Sequence, residues 1–435
     1  MTAMAAANPV PVEPTWFGQP RGLTVLFLTN MWEQFSYYGM RALLVYYMTK
    51  QLMLGQGRAS YIYGAYTAGA YFTPILGGII ADRWLGKRRA IIIGASVMAA
   101  GHFMMTFEAL FYFGLATIAL GNGLFLPSLP SQVGDLYRPD DPRRGWAFNV
   151  YYVGINIGGF LAPLICGTVG ELYGWHYGFG IAGIGMLVGL LIYLGGSRYL
   201  PRDTPRARAV RSASVGFDRD TILLLLGVAL SVTVFRAAYE QVGNTVALWA
   251  DVGIDRRAGS ATIPMTWFQA LNPLFVMLLT PPLLAYWQRR AAAREREPAP
   301  AQRMATGSLI VAGAYLLLAA VAWQHGGNRA GWLWLVLFFV VFTVGELFIL
   351  PTGLGLFARL ASPRAGVTTV AAWFLATFTG SLSAGLVGSL WSRIGPAPFF
   401  MLLALIAGIA AVMLTTLTRL GHGRQQIGST PSKVV

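Results

Sequence analysis

The run Gly77-Gly78-Ile79-Ile80-Ala81-Asp82-Arg83-Trp84-Leu85-Gly86-Lys87-Arg88-Arg89 joins two apolar stretches, near 60–82 and 89–106. Its glycines permit close helix approach and a tight turn, Asp82 can serve a helix end or an arginine, and the basic cluster must lie in water or among lipid headgroups. Read this way, the segment is a connector between two helices that cross a bilayer. The rest of the chain repeats the pattern. Breaking it at charged, Gly-rich or Pro-rich punctuation gives twelve apolar stretches, near 23–53, 60–82, 89–106, 110–137, 145–172, 177–198, 220–250, 262–288, 304–324, 331–359, 364–393 and 397–418. Roughly 20 mostly apolar helical residues span the hydrocarbon.

Composition agrees with a bilayer as solvent. Of 435 residues 55% are hydrophobic and only 11% charged, with a mean hydropathy of +0.56. A soluble globule of that composition could not hide its apolar surface. The formal charge of +15 does not imply a nucleic-acid partner, because the basic residues sit between apolar segments and do not gather on one face. Placing Lys and Arg on alternate sides of the twelve stretches puts 24 of the 32 on the side of the N-terminus and six on the other. Arg41 and Arg236 are the remaining two, inside helices. The positive-inside rule therefore predicts both termini in the cytoplasm of a multi-pass cell-membrane protein, the inner membrane in a Gram-negative cell.

The longest charged connector, Pro201 to Asp220, divides the helices six and six. The expected organisation is a flexible lead over 1–20, a six-helix bundle over 21–200, a cytoplasmic linker over 201–219, a second six-helix bundle over 220–419, and a flexible tail over 420–435. The lead has no basic stretch of the kind that opens a signal peptide. Cys166, the single cysteine, lies in an apolar run and reads as a small buried hydrophobe. An enzyme is not expected: His102, His176, His325 and His422 are scattered, and no metal-ligand spacing or acid–base pair appears. No cofactor or metal is expected.

Charge inside the apolar runs marks the candidate site. Helix one carries Glu33, Tyr37 and Arg41 at successive intervals of four, which places them on one stripe. Helix seven repeats the spacing with Arg236 and Glu240, and helix ten adds Glu346 before Pro351. An ionised carboxylate in the hydrocarbon costs about 2.5–3.5 kcal/mol or more, so these groups must face protein or a water-lined interior. Static ion pairs that hold the bundle together are the plain alternative to a transport site, and the two roles overlap.

The Gly77–Arg89 string resembles the signature loop of the major facilitator superfamily, with Gly77, Gly78, Asp82, Arg83, Gly86 and Lys87 at its characteristic positions. More of the chain, over roughly residues 23 to 395, resembles the proton-dependent oligopeptide transporter family. Phe35-Ser36-Tyr37-Tyr38-Gly39-Met40-Arg41 is similar to that family's helix-one signature and Phe148-Asn149-Val150-Tyr151-Tyr152-Val153-Gly154-Ile155-Asn156 to its helix-five signature. Glu240-Gln241, Trp267-Phe268-Gln269-Ala270-Leu271-Asn272-Pro273 and Trp373-Phe374 continue the similarity. The resemblance implies a major facilitator fold and uptake of di- and tripeptides with protons at a midplane site. It implies substrate contacts from Tyr37, Tyr38, Arg41, Tyr71, Asn156, Glu240, Asn272, Glu346 and Trp373, with Arg41 attracting the peptide carboxylate and pairing with Glu240 beforehand, and Asn156 and Glu346 holding the amino end. Coupling and gating fall to Glu33, Arg41, Glu240 and Glu346.

Four departures from the family pattern qualify this. The helix-one Glu-x-x-Glu-Arg signature has become Asn30, Glu33 and Gln34, and the helix-four lysine is Leu126. Two cations are thus missing while Glu33 and Glu346 remain. Arg236 stands where the family usually has tryptophan, and it is the candidate replacement cation facing the pocket. The connector at 201–220 is too short for the two extra helices found in many bacterial relatives. The reading is a monomeric symporter of peptides or peptide-like zwitterions that works by alternating access, with protons and the lipid bilayer as its other partners. An uncoupled facilitator or exporter of a modified peptide or drug-like compound is the alternative, and a non-transporting peptide sensor the second.

Overall fold

The computed structural model describes residues 15–16, 18–138, 141–201, 219–293, 299–360 and 366–427. The predicted lead before residue 15, most of the linker and the end of the tail lie outside them. Twelve long helices run through the described residues: α1 Arg21–Tyr46, α2 Gln56–Ile80, α3 Lys87–Met104, α4 Phe111–Asp135, α5 Arg143–Ala162, α6 Trp175–Gly195, α7 Arg219–Tyr239, α8 Leu271–Ala293, α9 Pro300–His325, α10 Leu333–Leu360, α11 Gly366–Gly388 and α12 Pro396–Ile427. Short turns lengthen several of them, among them Tyr47–Gln51 after α1 and the pair Pro163–Gly167 and Thr168–Tyr173 after α5. Three two-residue strand pairs are the only extended ladders among the described residues.

Nine of the helices are long and apolar enough to cross a membrane by composition alone. The first three fall short for a physical reason. α1 carries Asn30, Glu33, Gln34 and Arg41, α2 carries four tyrosines, and α3 opens with Lys87, Arg88 and Arg89. The polar residues of α1 and Tyr63, Tyr66 and Tyr71 of α2 turn to the interior, whereas the basic start of α3 belongs to the connector.

Packing follows the order of the chain. α1 lies against α5 and α6, α2 and α3 against α4; in the second half α9 lies against α10 and α12, and α7 against α11 and α12. Glycine sets the closest approaches. A Cβ at Gly77 would sit 2.0 Å from the Gly123 carbonyl oxygen, so α2 and α4 touch backbone to backbone there. The connector that decides the fold turns at Gly86, whose φ of 77° favours glycine, and its Lys87 pairs with Asp135 at the end of α4. Cys166 is fully buried with its sulfur against Gly39, as a small hydrophobe would be.

The two sets of helices meet chiefly along α2–α11 and α5–α8. A Cβ on Gly64 would lie 2.5 Å from the Gly385 Cα, so α2 and α11 are in backbone contact. Near the same end of the bundle, remote from the N-terminus, Tyr46 donates to the Ala247 carbonyl at 2.7 Å and Lys50 pairs with Asp251 at 2.7 Å. Glu171 there accepts from the Thr266 amide at 2.9 Å and its hydroxyl at 2.6 Å. That end is closed.

Candidate functional site

The site forms where α1, α2, α7, α10 and α11 converge. Four residues beyond Tyr37 on α1, Arg41 points at the opposite half. Its Nε donates to the Tyr63 hydroxyl on α2 at 2.7 Å, and its Nη2 pairs with Glu240 Oε2 on α7. Gly243 makes room for this, since a Cβ there would lie 2.2 Å from the Tyr63 hydroxyl.

The apolar stretch predicted as one helix over 220–250 is broken at its charged residue. α7 tightens into a turn over Glu240–Gly243, Asn244 leaves helical geometry at φ −115° and ψ −91°, and Thr245–Val252 resumes the helix. Gln241 stabilises the break. Its amide donates to the Ala384 carbonyl on α11 at 2.8 Å while its side-chain oxygen accepts from Thr245 at 3.0 Å. The same amide also donates to the Ala237 carbonyl of its own helix at 3.1 Å, so a side chain serves backbone beside the break.

The sequence reading has Arg236 face the pocket as a replacement cation. In the structure it is 4% exposed and its Nη2 pairs with Glu240 Oε1, one turn along the same helix. Its guanidinium lies 4.8 Å from the Tyr71 ring centroid and 5.0 Å from that of Tyr239, a stacked, desolvated cation–π arrangement. Gly380 on α11 admits the side chain, because a Cβ there would be 2.4 Å from Arg236 Cβ. Glu240 therefore holds a different arginine on each oxygen.

The other two carboxylates have no such partners. Glu346 on α10 accepts from the Tyr239 hydroxyl at 2.7 Å and from Asn272 Nδ2 at 2.5 Å. Glu33, 1% exposed, accepts from Gln34 Nε2 at 2.7 Å. Neither forms an ion pair among the described residues.

Tyr38, Arg41, Tyr239, Gln269, Asn272 and Phe342 line a cavity of about 40 Å³ at the centre of this cluster. That is near the liquid volume of a single water, far below the roughly 300 Å³ at the low end for ligand pockets. With the remote end closed as well, a peptide-sized molecule enters only if the halves part.

Of the ten predicted contact residues, Arg41, Tyr71, Arg236 and Glu240 meet in one cluster, Glu346 and Asn272 adjoin it, and Tyr38 lines the cavity. The Tyr37 ring stacks on Tyr66 at 6.5 Å and meets Tyr38 edge-on at 5.4 Å. Asn156 spends its amide on the Tyr152 carbonyl of its own helix at 2.9 Å. Trp373 packs edge-on to Phe357 at 5.4 Å and over Gly353, between α10 and α11. Sequence reasoning passed over Tyr63, Tyr239 and Gln269. Tyr239 adjoins Glu240 and could have been flagged; Tyr63 could not, because it is 22 residues from Arg41 on another helix.

A family model described as PTR2, POT family, matches residues 88–216 and 215–397. The chain belongs to the POT family. Among similar proteins, the peptide transporter YePEPT of Yersinia enterocolitica subsp. palearctica is 33% identical, over 88% of this chain and 90% of its own. A di-/tripeptide transporter of Lactococcus lactis subsp. cremoris is 32% identical over 92% of this chain and 96% of its own. The crystal structure of a peptide transporter POT in complex with sulfate superposes with a TM-score of 0.86 at 28% identity, covering 94% of this chain and 96% of that one. A variant of that transporter was solved with alafosfalin, at a TM-score of 0.85. This POT-family chain is accordingly a multi-pass membrane transporter of the major facilitator superfamily, not an enzyme. The Arg41–Glu240 cluster is thus the interior of a POT-family transporter.

Proposed function

We propose that this protein is a proton-coupled symporter of di- and tripeptides or peptide-like zwitterions, working by alternating access. The observation that carries the reading is the buried pair of Arg41 and Glu240, which links the first helices to the second beside the Glu346 carboxylate. A cation that lines the cavity, with the Glu346 carboxylate held behind the Asn272 and Tyr239 side chains of the same lining, matches a zwitterion. Arg41 receives the peptide carboxylate and Glu346 its amino group, while Tyr37, Tyr38, Tyr71, Asn156, Asn272 and Trp373 shape the space around the peptide. The relatives named as peptide transporters support this substrate class.

In this reading residues 21–200 and 220–419 are the two moving bundles, joined by the 201–219 linker, and both termini are cytoplasmic. The sealed end described above is then the extracellular one. Glu33 carries the proton: it is buried with one amide donor, and a proton is the remaining way to neutralise its charge. The signature loop from Gly77 to Lys87 pivots the first bundle on the cytoplasmic side.

Uptake of labelled dialanine into proteoliposomes, with and without an imposed proton gradient, tests the reading. Accumulation above equilibrium only with the gradient is expected. Equilibration that ignores the gradient replaces symport by an uncoupled facilitator, a second reading favoured by the two arginines on Glu240. No flux for any peptide, with binding retained, leaves a sensor.

A further inference from the structure

Arg41 and Arg236 both hold Glu240, but they are attached to different parts of the machine. Arg41 stands on α1 and must separate from Glu240 when the halves part or when a substrate carboxylate takes its guanidinium. Arg236 stands four residues before Glu240 on α7, so its distance to the carboxylate is set by the turn of one helix and survives any movement of the halves. Each arginine uses its own oxygen of Glu240, so neither displaces the other. The turn that carries Glu240 is itself tied to α11 through Gln241 and Ala384.

A buried carboxylate that loses its only cation must find another partner or take a proton, because the uncompensated charge is costly in a desolvated site. We propose that Arg236 is a resident counter-ion, which keeps Glu240 paired when a substrate carboxylate captures Arg41, so that Glu240 releases Arg41 without first being protonated. This rests on the reading of Arg41 as the receptor of a peptide carboxylate. The charged groups facing Glu240 are Arg41 from α1, Arg236 from α7 and Glu346 from α10. The phenols around it are Tyr37, Tyr63, Tyr239 and Tyr315, from α1, α2, α7 and α9. Arg236 is the one cation among them whose place does not depend on how the halves meet. Arg236 is in this sense a positioning residue, and the coupling proton belongs to a carboxyl group other than Glu240.

Calorimetric titration of the full-length protein with dialanine, in buffers of different ionisation enthalpy from mildly acidic to mildly alkaline, reads the protons taken up on binding. Arg236→Gln should take up about one more proton per peptide than the wild type, and its affinity should fall roughly tenfold more per pH unit. Arg236→Lys should restore the wild-type profile, and the double variant Arg236→Gln/Glu240→Gln should lose the extra proton. Equal proton uptake by wild type and Arg236→Gln would overturn the proposal, as would failure of Arg236→Lys to restore the profile. Infrared difference spectra of the wild type keep the test independent of how Arg236→Gln folds. A protonated-carboxyl band that appears with dialanine and vanishes in Glu240→Gln overturns the proposal, and its absence supports it. A wild type that binds no di- or tripeptide at any pH sinks the peptide reading first, and this inference with it.

Discussion

The interior of α1 and the interior of α7 each bury a carboxylate, and the two are treated in opposite ways. Glu240 on α7 is gripped by an arginine on each oxygen, whereas Glu33 on α1 has the amide of the adjacent Gln34 and no cation among the described residues. The chain carries Gln34 on α1 and Arg236 on α7, so positive charge sits on the second half and not beside Glu33. The lesson is that counting charges in apolar helices does not say which are neutralised. That depends on which side chains the packing brings within reach.

The comparison breaks most visibly in stability. Glu240→Gln leaves two buried guanidinium groups facing a neutral amide and should cost about 3–5 kcal/mol. Glu33→Gln, which exchanges a cation-free group for a neutral one of the same shape, should change stability by less than about 1 kcal/mol. Thermal unfolding in detergent reads both, and equal losses would erase the distinction.

Ligand binding separates the two arginines that make Glu240 special. Arg41→Gln should weaken dialanine binding by about 10- to 100-fold, the worth of a charge-assisted hydrogen bond. Arg236→Gln in mildly acidic buffer should cost at most a few-fold, since Arg236 does not line the cavity. A tryptophan-fluorescence or calorimetric titration decides between them.

A third carboxylate sharpens the contrast. Glu171 is held mainly by the neutral Thr266 amide and hydroxyl, but at the sealed end, with Arg256 at 3.9 Å. Glu171→Gln should weaken closure there by about 1–2 kcal/mol, seen as faster labelling of a cysteine introduced at Ser60 in a Cys166→Ser background. Unchanged labelling would mean that the α2–α11 backbone contact alone closes that end.

A further effect is steric. Gly243→Ala puts a methyl where the Tyr63 hydroxyl lies and should cost Arg41 that one charge-assisted hydrogen bond, about 1.5 kcal/mol. Double-mutant analysis with Tyr63→Phe, in which the two losses fail to add, checks it.

The sequence made much of this legible, and the limits have physical causes. Twelve helices follow from hydropathy and punctuation, which are local. Arg41, Glu240 and Glu346 stand out because charge is rare at membrane depth. The break in α7 was hidden, since Glu240-Gln241-Val242-Gly243-Asn244 sits in an apolar stretch and the Gln241 side chain that braces it donates to the Ala384 carbonyl on α11, a partner remote in sequence. The partner of Arg236 was missed for a related reason. Its four-residue spacing to Glu240 was visible, but whether it would serve Glu240, Glu346 or the cavity depended on Gly380, Tyr71 and Tyr239, which lie partly on other helices. The edge-on packing of Trp373 against Phe357 was hidden for the same reason, since Phe357 lies on another helix.

In the proposed symport the proton sits on Glu33 and the permanent ion pair on Glu240. Dialanine transport by Glu33→Gln in proteoliposomes tests that assignment most directly, comparing tracer exchange at equal concentrations with accumulation driven by a proton gradient. The account predicts exchange at a near wild-type rate and no accumulation above equilibrium. Gradient-driven accumulation by Glu33→Gln equal to that of the wild type would contradict it.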